Sequence, residues 1–184
     1  MKKISYALLP AGLIAAGIGI ALLPQPADAQ LTGNIVLKGT VAQNCSVVVS
    51  ATAGASTLDL STGTRRVQVG SAVQNCNKKA GYTLDVSSTN CATGTAGAKL
   101  IGATGAEQMR YSGEFNNPAT GGSTATVTGL LATSCSTTAQ IRGRDVTNAK
   151  IAGETSTIFV NYTGDSTLGA DTYTDTFTIT MTVK

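Results

Sequence analysis

The chain contains no histidine and no tryptophan, only three phenylalanines and five tyrosines, and charged residues make up just 12% of it. Each shortage excludes something. Without an imidazole there is no Ser-His or Cys-His nucleophilic pair, and the commonest nitrogen ligand for zinc is missing. The formal net charge of +3 falls to about +2 once the N-terminal leader is set aside. Its carriers, Arg65-Arg66, Lys78-Lys79 and Arg142/Arg144, are too dispersed for a nucleic-acid footprint. Gly94/Gly97 and Gly121-Gly122 lack the following Lys-Ser/Thr or helix that a phosphate cradle needs. Helical periodicity is nearly absent. The expectation is therefore a protein that is not an enzyme, with no catalytic residue, cofactor or metal.

What is present begins with a leader. Met1, Lys2 and Lys3 precede an apolar run to about Leu23, then come Pro24, Pro26 and Ala27-Asp28-Ala29, the pattern of a secretory signal peptide cleaved after Ala29. A retained membrane anchor is the competing reading, because the run is nearly long enough to span a bilayer. Pro10 inside the run and the Ala-x-Ala site favour export, with no stable membrane insertion after cleavage. The remaining 155 residues or so are one domain's worth. The organisation read from sequence is a signal peptide over 1–29, an N-terminal segment over 30–44 and a β domain over 45–184.

Four cysteines, Cys45, Cys76, Cys91 and Cys135, all lie in the exported part, where an even count implies disulfides. None forms a C-x-x-C pair, and three connectivities are possible. Cys45 with Cys76 and Cys91 with Cys135 is favoured because each pair joins segments near strand ends.

The clearest pattern closes the chain. Over residues 172–184, TYTDTFTITMTVK, apolar side chains fall on odd positions and threonine on nearly every even one, which predicts one long strand with a dry face of Phe177, Ile179, Met181 and Val183. A second alternating stretch, 30–49, carries Leu31, Gly33, Ile35, Leu37, Gly39 and Val41 on one parity. Between them, short strands are predicted around 58–60, 66–76 with a bend at Gly70, 82–86, 99–101, 109–115, 127–131 and 158–162. A short edge strand is expected over 140–144, its arginines suiting an exposed edge. Seven to nine short strands with turn residues between them predict an antiparallel β-sandwich. Asp165, Asp171 and Asp175 crowd the last turn; calcium would suit their oxygens, but capping of hairpin turns is the commoner use, and no metal site is assigned. The sequons at Asn44 and Asn161 fall in predicted strands, which argues against glycosylation.

GNIVLKGTVAQNC, VQNCNKKAGYTLDV, MRYSGEF and VNYTGDSTLGADTYTDTFTITMTVK together resemble pilin subunits of the bacterial chaperone-usher pathway, and the ending is similar to the spore coat protein U-type and other archaic or alternative branches. The resemblance implies an immunoglobulin-like sandwich lacking its last strand. A periplasmic chaperone, and then the N-terminal extension of another subunit at an outer-membrane usher, would fill the resulting groove. On this sequence Phe177, Ile179, Met181 and Val183 would line the groove, and Leu31, Gly33, Ile35 and Leu37 would be donor-strand residues. Cys45 with Cys76 matches the family's usual bridge, and Cys91 with Cys135 would be an addition. Val183 as the penultimate residue, where better-known pilins carry an aromatic, departs from the pattern. The expected function is a structural pilus (fimbrium) subunit at the cell surface, partnered by copies of itself or other pilins, in adhesion or biofilm formation. The alternative is a self-contained secreted or periplasmic binding module or tip adhesin.

Overall fold

Period-two alternation becomes strand at most of the places where it occurs, because it is the only local geometry that keeps one face dry. The computed structural model describes residues 35–91, 97–118 and 126–184. The described residues form β1 (Cys45–Ala51), β2 (Thr64–Cys76), β3 (Tyr82–Ser88), β4 (Lys99–Gly102), β5 (Gln108–Asn116), β6 (Thr126–Leu130), a single helical turn α1 (Thr138–Ile141), β7 (Arg142–Val146), β8 (Lys150–Thr163), β9 (Tyr173–Thr174) and β10 (Phe177–Val183). All pairings are antiparallel. The larger sheet runs β1-β2-β8-β5-β4-β9, with β6 also on β5, and the smaller runs β10-β3-β7. The protein is an all-β sandwich. Contacts divide the chain into 1–39 and 40–184; of the first unit only 35–39 are described, and they carry no regular structure.

The core lies between the two sheets. Tyr82, Leu84 and Val86 of β3 face Ile158, Val160 and Tyr162 of β8, with Met109, Tyr111 and Phe115 of β5 beside them. In β2 the pattern changes parity midway: Val67 and Val69 pack inward, then Ala72, Gln74 and Cys76 do. A register shift between Gln68 and Gly70 against β8 absorbs the extra residue, so the bend expected at Gly70 is a β-bulge. The polar core residues are tied together: Gln74 Nε2 donates to Ser156 Oγ, which donates to Asn117 Oδ1, and Asn117 Nδ2 donates to the Gly143 carbonyl. These links offset most of the cost of polar groups in a dry interior, with Gln74 Oε1 left unpartnered among the described residues.

On the outer face of the larger sheet, Arg66 lies 3.5 Å above the Phe159 ring and donates to the Glu114 carboxylate, which also accepts from Asn161 Nδ2. The Arg66 hydrogen bonds hold the Glu114 carboxyl below its ordinary range, outweighing partial burial. A depressed carboxylate contributes stability that is complete above its unfolded value and lost as pH falls through its folded value. The urea midpoint is therefore expected to fall between pH 7 and pH 3, and Glu114→Gln to remove part of that fall. Parallel acid limbs in the two proteins would refute the assignment.

Several sequence expectations are corrected. The closing stretch is not one strand: β9 pairs with β4 in the larger sheet and β10 with β3 in the smaller, the chain crossing between sheets at Asp175-Thr176. The 30–49 stretch is not a long strand either, since residues 35–44 are unpaired with any strand and pairing starts at Cys45. Residues 58–60 form no strand. The segment 140–144 is split between α1 and β7, and Arg144 is not on an exposed face but wholly buried, donating to Glu154 Oε2 at 2.5 Å. Arg142 pairs with Asp85 and Asp145 instead.

Both disulfides are formed as favoured from the sequence: Cys45–Cys76 across the first register pair of β1 and β2, and Cys91–Cys135 from the end of β3 to the segment before α1. Asp165 and Asp171 are used locally, accepting from Thr167 and from Thr104 and Thr172. Among the described residues, no cluster of potential metal ligands is found and no helix is long and apolar enough to cross a membrane.

Candidate functional site: a groove between two unpaired strand edges

β1 ends the larger sheet and β10 ends the smaller, so among the described residues each is paired on one side only. Which backbone groups this leaves over follows from the hydrogen bonds at the strand ends. Thr89 N–H donates to the Thr176 carbonyl and Lys184 N–H to that of Gly81, so even positions of β10 bond to β3. Antiparallel ladders alternate, so the N–H and C=O groups of Phe177, Ile179, Met181 and Val183 point to the open side. In β1, Asn77 N–H donates to the Asn44 carbonyl and Thr52 N–H to that of Val69, which turns the backbone groups of Cys45, Val47, Val49 and Ala51 outward from β2 in the same way. Each edge offers its odd residues twice, once through their main chain and once through their side chains.

The two edges face one cleft. Val49 and Ala51 on one wall and Phe177 and Ile179 on the other border a space of about 270 Å³, floored by Leu100, Tyr111, Ile158 and Val160. The C-terminal end of β1 meets the N-terminal end of β10, so the walls run in opposite senses. The site is apolar and partly uncovered: Phe177, Ile179, Met181 and Val183 pack on the core yet stay half-buried. Val49, on the inward parity of β1, is 48% exposed. A residue that faces inward and remains wet marks where a layer of packing is missing.

At the head of the groove sits a polar corner that the alternation concealed. Asp175 accepts from Tyr111 Oη at 2.7 Å, from Asn90 N–H at 3.0 Å and from Ser88 Oγ. Burial, reinforced by the Asp175 carboxylate, pushes the Tyr111 hydroxyl well above the ordinary tyrosine range, so it stays protonated and keeps a proton to donate to Asp175. Just beyond this corner, Phe177 lays its ring over Gly113, where a Cβ would lie 3.1 Å from it. The corner thus fixes the point at which β10 enters the smaller sheet. No sequence signal announces it beyond an aspartate on the apolar parity.

No known protein family matches the chain, and no curated protein matches it.

Of the residues singled out from sequence, Phe177, Ile179, Met181 and Val183 share one face of β10, and of these Phe177 and Ile179 border the cleft. Ile35 and Leu37 are 88% and 90% exposed and belong to no strand. Leu31 and Gly33, like the leader expected over 1–29, lie outside the described residues. Val36 and Val41 are also exposed, at 89% and 90%. The chain thus carries an apolar segment without a surface and an apolar surface without a strand.

Proposed function

We propose that this protein is a structural, non-enzymatic subunit of a surface fibre of the chaperone-usher type, exported through the periplasm. Its groove takes up an extended apolar strand contributed by another subunit. The observation that carries this reading is the pairing of an open, half-wet groove with an exposed alternating segment, Ile35 and Leu37, on the same chain. A strand laid between β1 and β10 would bond to both edges and cover Val49, Phe177 and Ile179, completing an immunoglobulin-like sandwich by β-augmentation. Since donor segment and groove are different surfaces, the contact is heterologous and does not close on itself, which generates an open fibre rather than a ring. Before assembly the same edges would need a temporary cover, the role of a periplasmic chaperone, with an outer-membrane usher at the site of exchange. Adhesion or biofilm formation is the service such a fibre performs.

The test is to secrete the chain with residues 30–37 removed behind its leader and to run unboiled gels. Loss of the multimer ladder is expected. An unchanged ladder would sink the donor assignment, and a full-length chain that stays monomeric with a cooperative melt would identify it as a self-contained binding module.

A further inference from the structure

A groove that the described residues leave open and a matching segment on one chain raise the question of what keeps the segment from its own groove, and the hydrogen bonds around Asn77 answer it. The Asn77 side chain accepts from Asn44 N–H at 2.7 Å and donates through Nδ2 to the Ala42 carbonyl at 2.7 Å. Its own N–H donates to the Asn44 carbonyl at 3.0 Å. One residue of the turn after β2 therefore grips the backbone of residues 42–44 on the β2 side and carries the line of β1 straight on, past the end of the sheet.

Those three residues are the ones a self-closing hairpin would need. Ile35, Leu37 and Val41 share a parity with Cys45, Val47, Val49 and Ala51, so a loop that folds the segment back along β1 with its apolar side inward must contain an odd number of residues. Three-residue loops are a common hairpin connection. A three-residue loop over 42–44 would set position 41 opposite 45, Leu37 opposite Val49 and Ile35 opposite Ala51, the uncovered end of the groove. With 42–44 held straight, the next loop of the same parity is 39–41. That register sets Ile35 opposite Cys45 and leaves Leu37 outside the groove. The mature chain, beginning at Gln30, would then have nothing to lay against Ala51 and Phe177.

We infer that Asn77 is a positioning residue that prevents the chain from completing its own sandwich and so commits residues 30–41 to a second copy. This rests on the donor-strand reading and adds to it the choice between filling one's own groove and filling a neighbour's. The polar turn 77–81 is thereby part of the assembly machinery although it touches neither wall of the groove.

The experiment compares the secreted full chain with Asn77→Ala, each with and without residues 30–37. Freeing residues 42–44 is expected to raise the ratio of monomer to multimer ladder on the order of tenfold, the size set by two lost side-chain hydrogen bonds. The Asn77→Ala monomer should melt higher than the same variant without residues 30–37, because the segment now covers its own groove. Asn77→Asp, which keeps the acceptor for Asn44 but loses the donor to Ala42, should fall between, and serves if the alanine variant is not secreted. An unchanged ratio, or a melt that is merely lowered and indifferent to removal of 30–37, overturns the inference and makes Asn77 an ordinary turn residue. If instead the ladder of the Asn77 chain survives removal of 30–37, the donor-strand reading itself fails.

Discussion

Gly81→Ala is expected to lower the unfolding free energy by at least about 3 kcal/mol, and the melting temperature on the order of 10 °C for a domain of this size. Two costs add. Gly81 sits at φ +83°, in the left-handed region, where a side chain alone costs about 1 kcal/mol. A Cβ there would also lie 2.0 Å from the Val146 carbonyl oxygen and 2.6 Å from its carbon, and both are backbone atoms that cannot rotate away. The residue matters to the groove as well, because its carbonyl accepts from Lys184 N–H and pins the end of β10 to the start of β3. Gly63 supplies the internal control. It has φ +77° and open space within 4 Å of where a Cβ would sit, so Gly63→Ala should cost only the backbone term, about 1 kcal/mol. Equal losses in calorimetry would mean that the turn before β3 yields without resistance.

Glu154→Leu should be comparably severe, about 3 to 5 kcal/mol by chemical denaturation, because it strips the carboxylate from a buried cation. Arg144 is 1% exposed, and its Nη2 donates to Glu154 while Nε and Nη1 find no partner among the described residues. The neighbouring Tyr82 hydroxyl, pushed up to about 12 chiefly by burial, offers no counter-charge at neutral pH. Replacing both members, Arg144→Met with Glu154→Leu, should recover most of the loss, since an apolar pair of similar volume carries no desolvation penalty. A double variant as unstable as the single one would show that the pair is needed for shape rather than for mutual neutralisation.

Much of this architecture was legible in the residues. Tyr82, Leu84 and Val86, or Ile158, Val160 and Tyr162, alternate so cleanly that strand and buried face follow together. What escaped was decided by partners distant in sequence. The break between β9 and β10 depends on Asp175 meeting Tyr111 and Ser88, which no local pattern displays. Arg144 reads as an exposed charge until Glu154 is placed beside it. The first half of β8, to about residue 157, shows no dry face in sequence because its buried Ser156 is polar and meets Gln74 of β2 through a hydrogen bond. The candidate site was half legible: alternation marked the dry face of β10 and the apolar parity of residues 31–41, and the groove was expected only from the family resemblance, whereas the Asn77 grip on residues 42–44 required the register of β1 on β2.

In a fibre of the kind proposed, where residues 30–44 would be the tether between subunits, the Cys45–Cys76 bridge would have a mechanical consequence. Tension on that segment would enter along the line of β1 and, without a cross-link, would fall on the hydrogen bonds of a strand that among the described residues is paired on one side only. The disulfide joins the first register pair of the two strands. Force arriving at Cys45 would therefore pass covalently into β2, which β8 pairs from Thr64 to Cys76 and β1 over Gly70 to Cys76, and the six remaining residue pairs of β1 would not carry the pull alone.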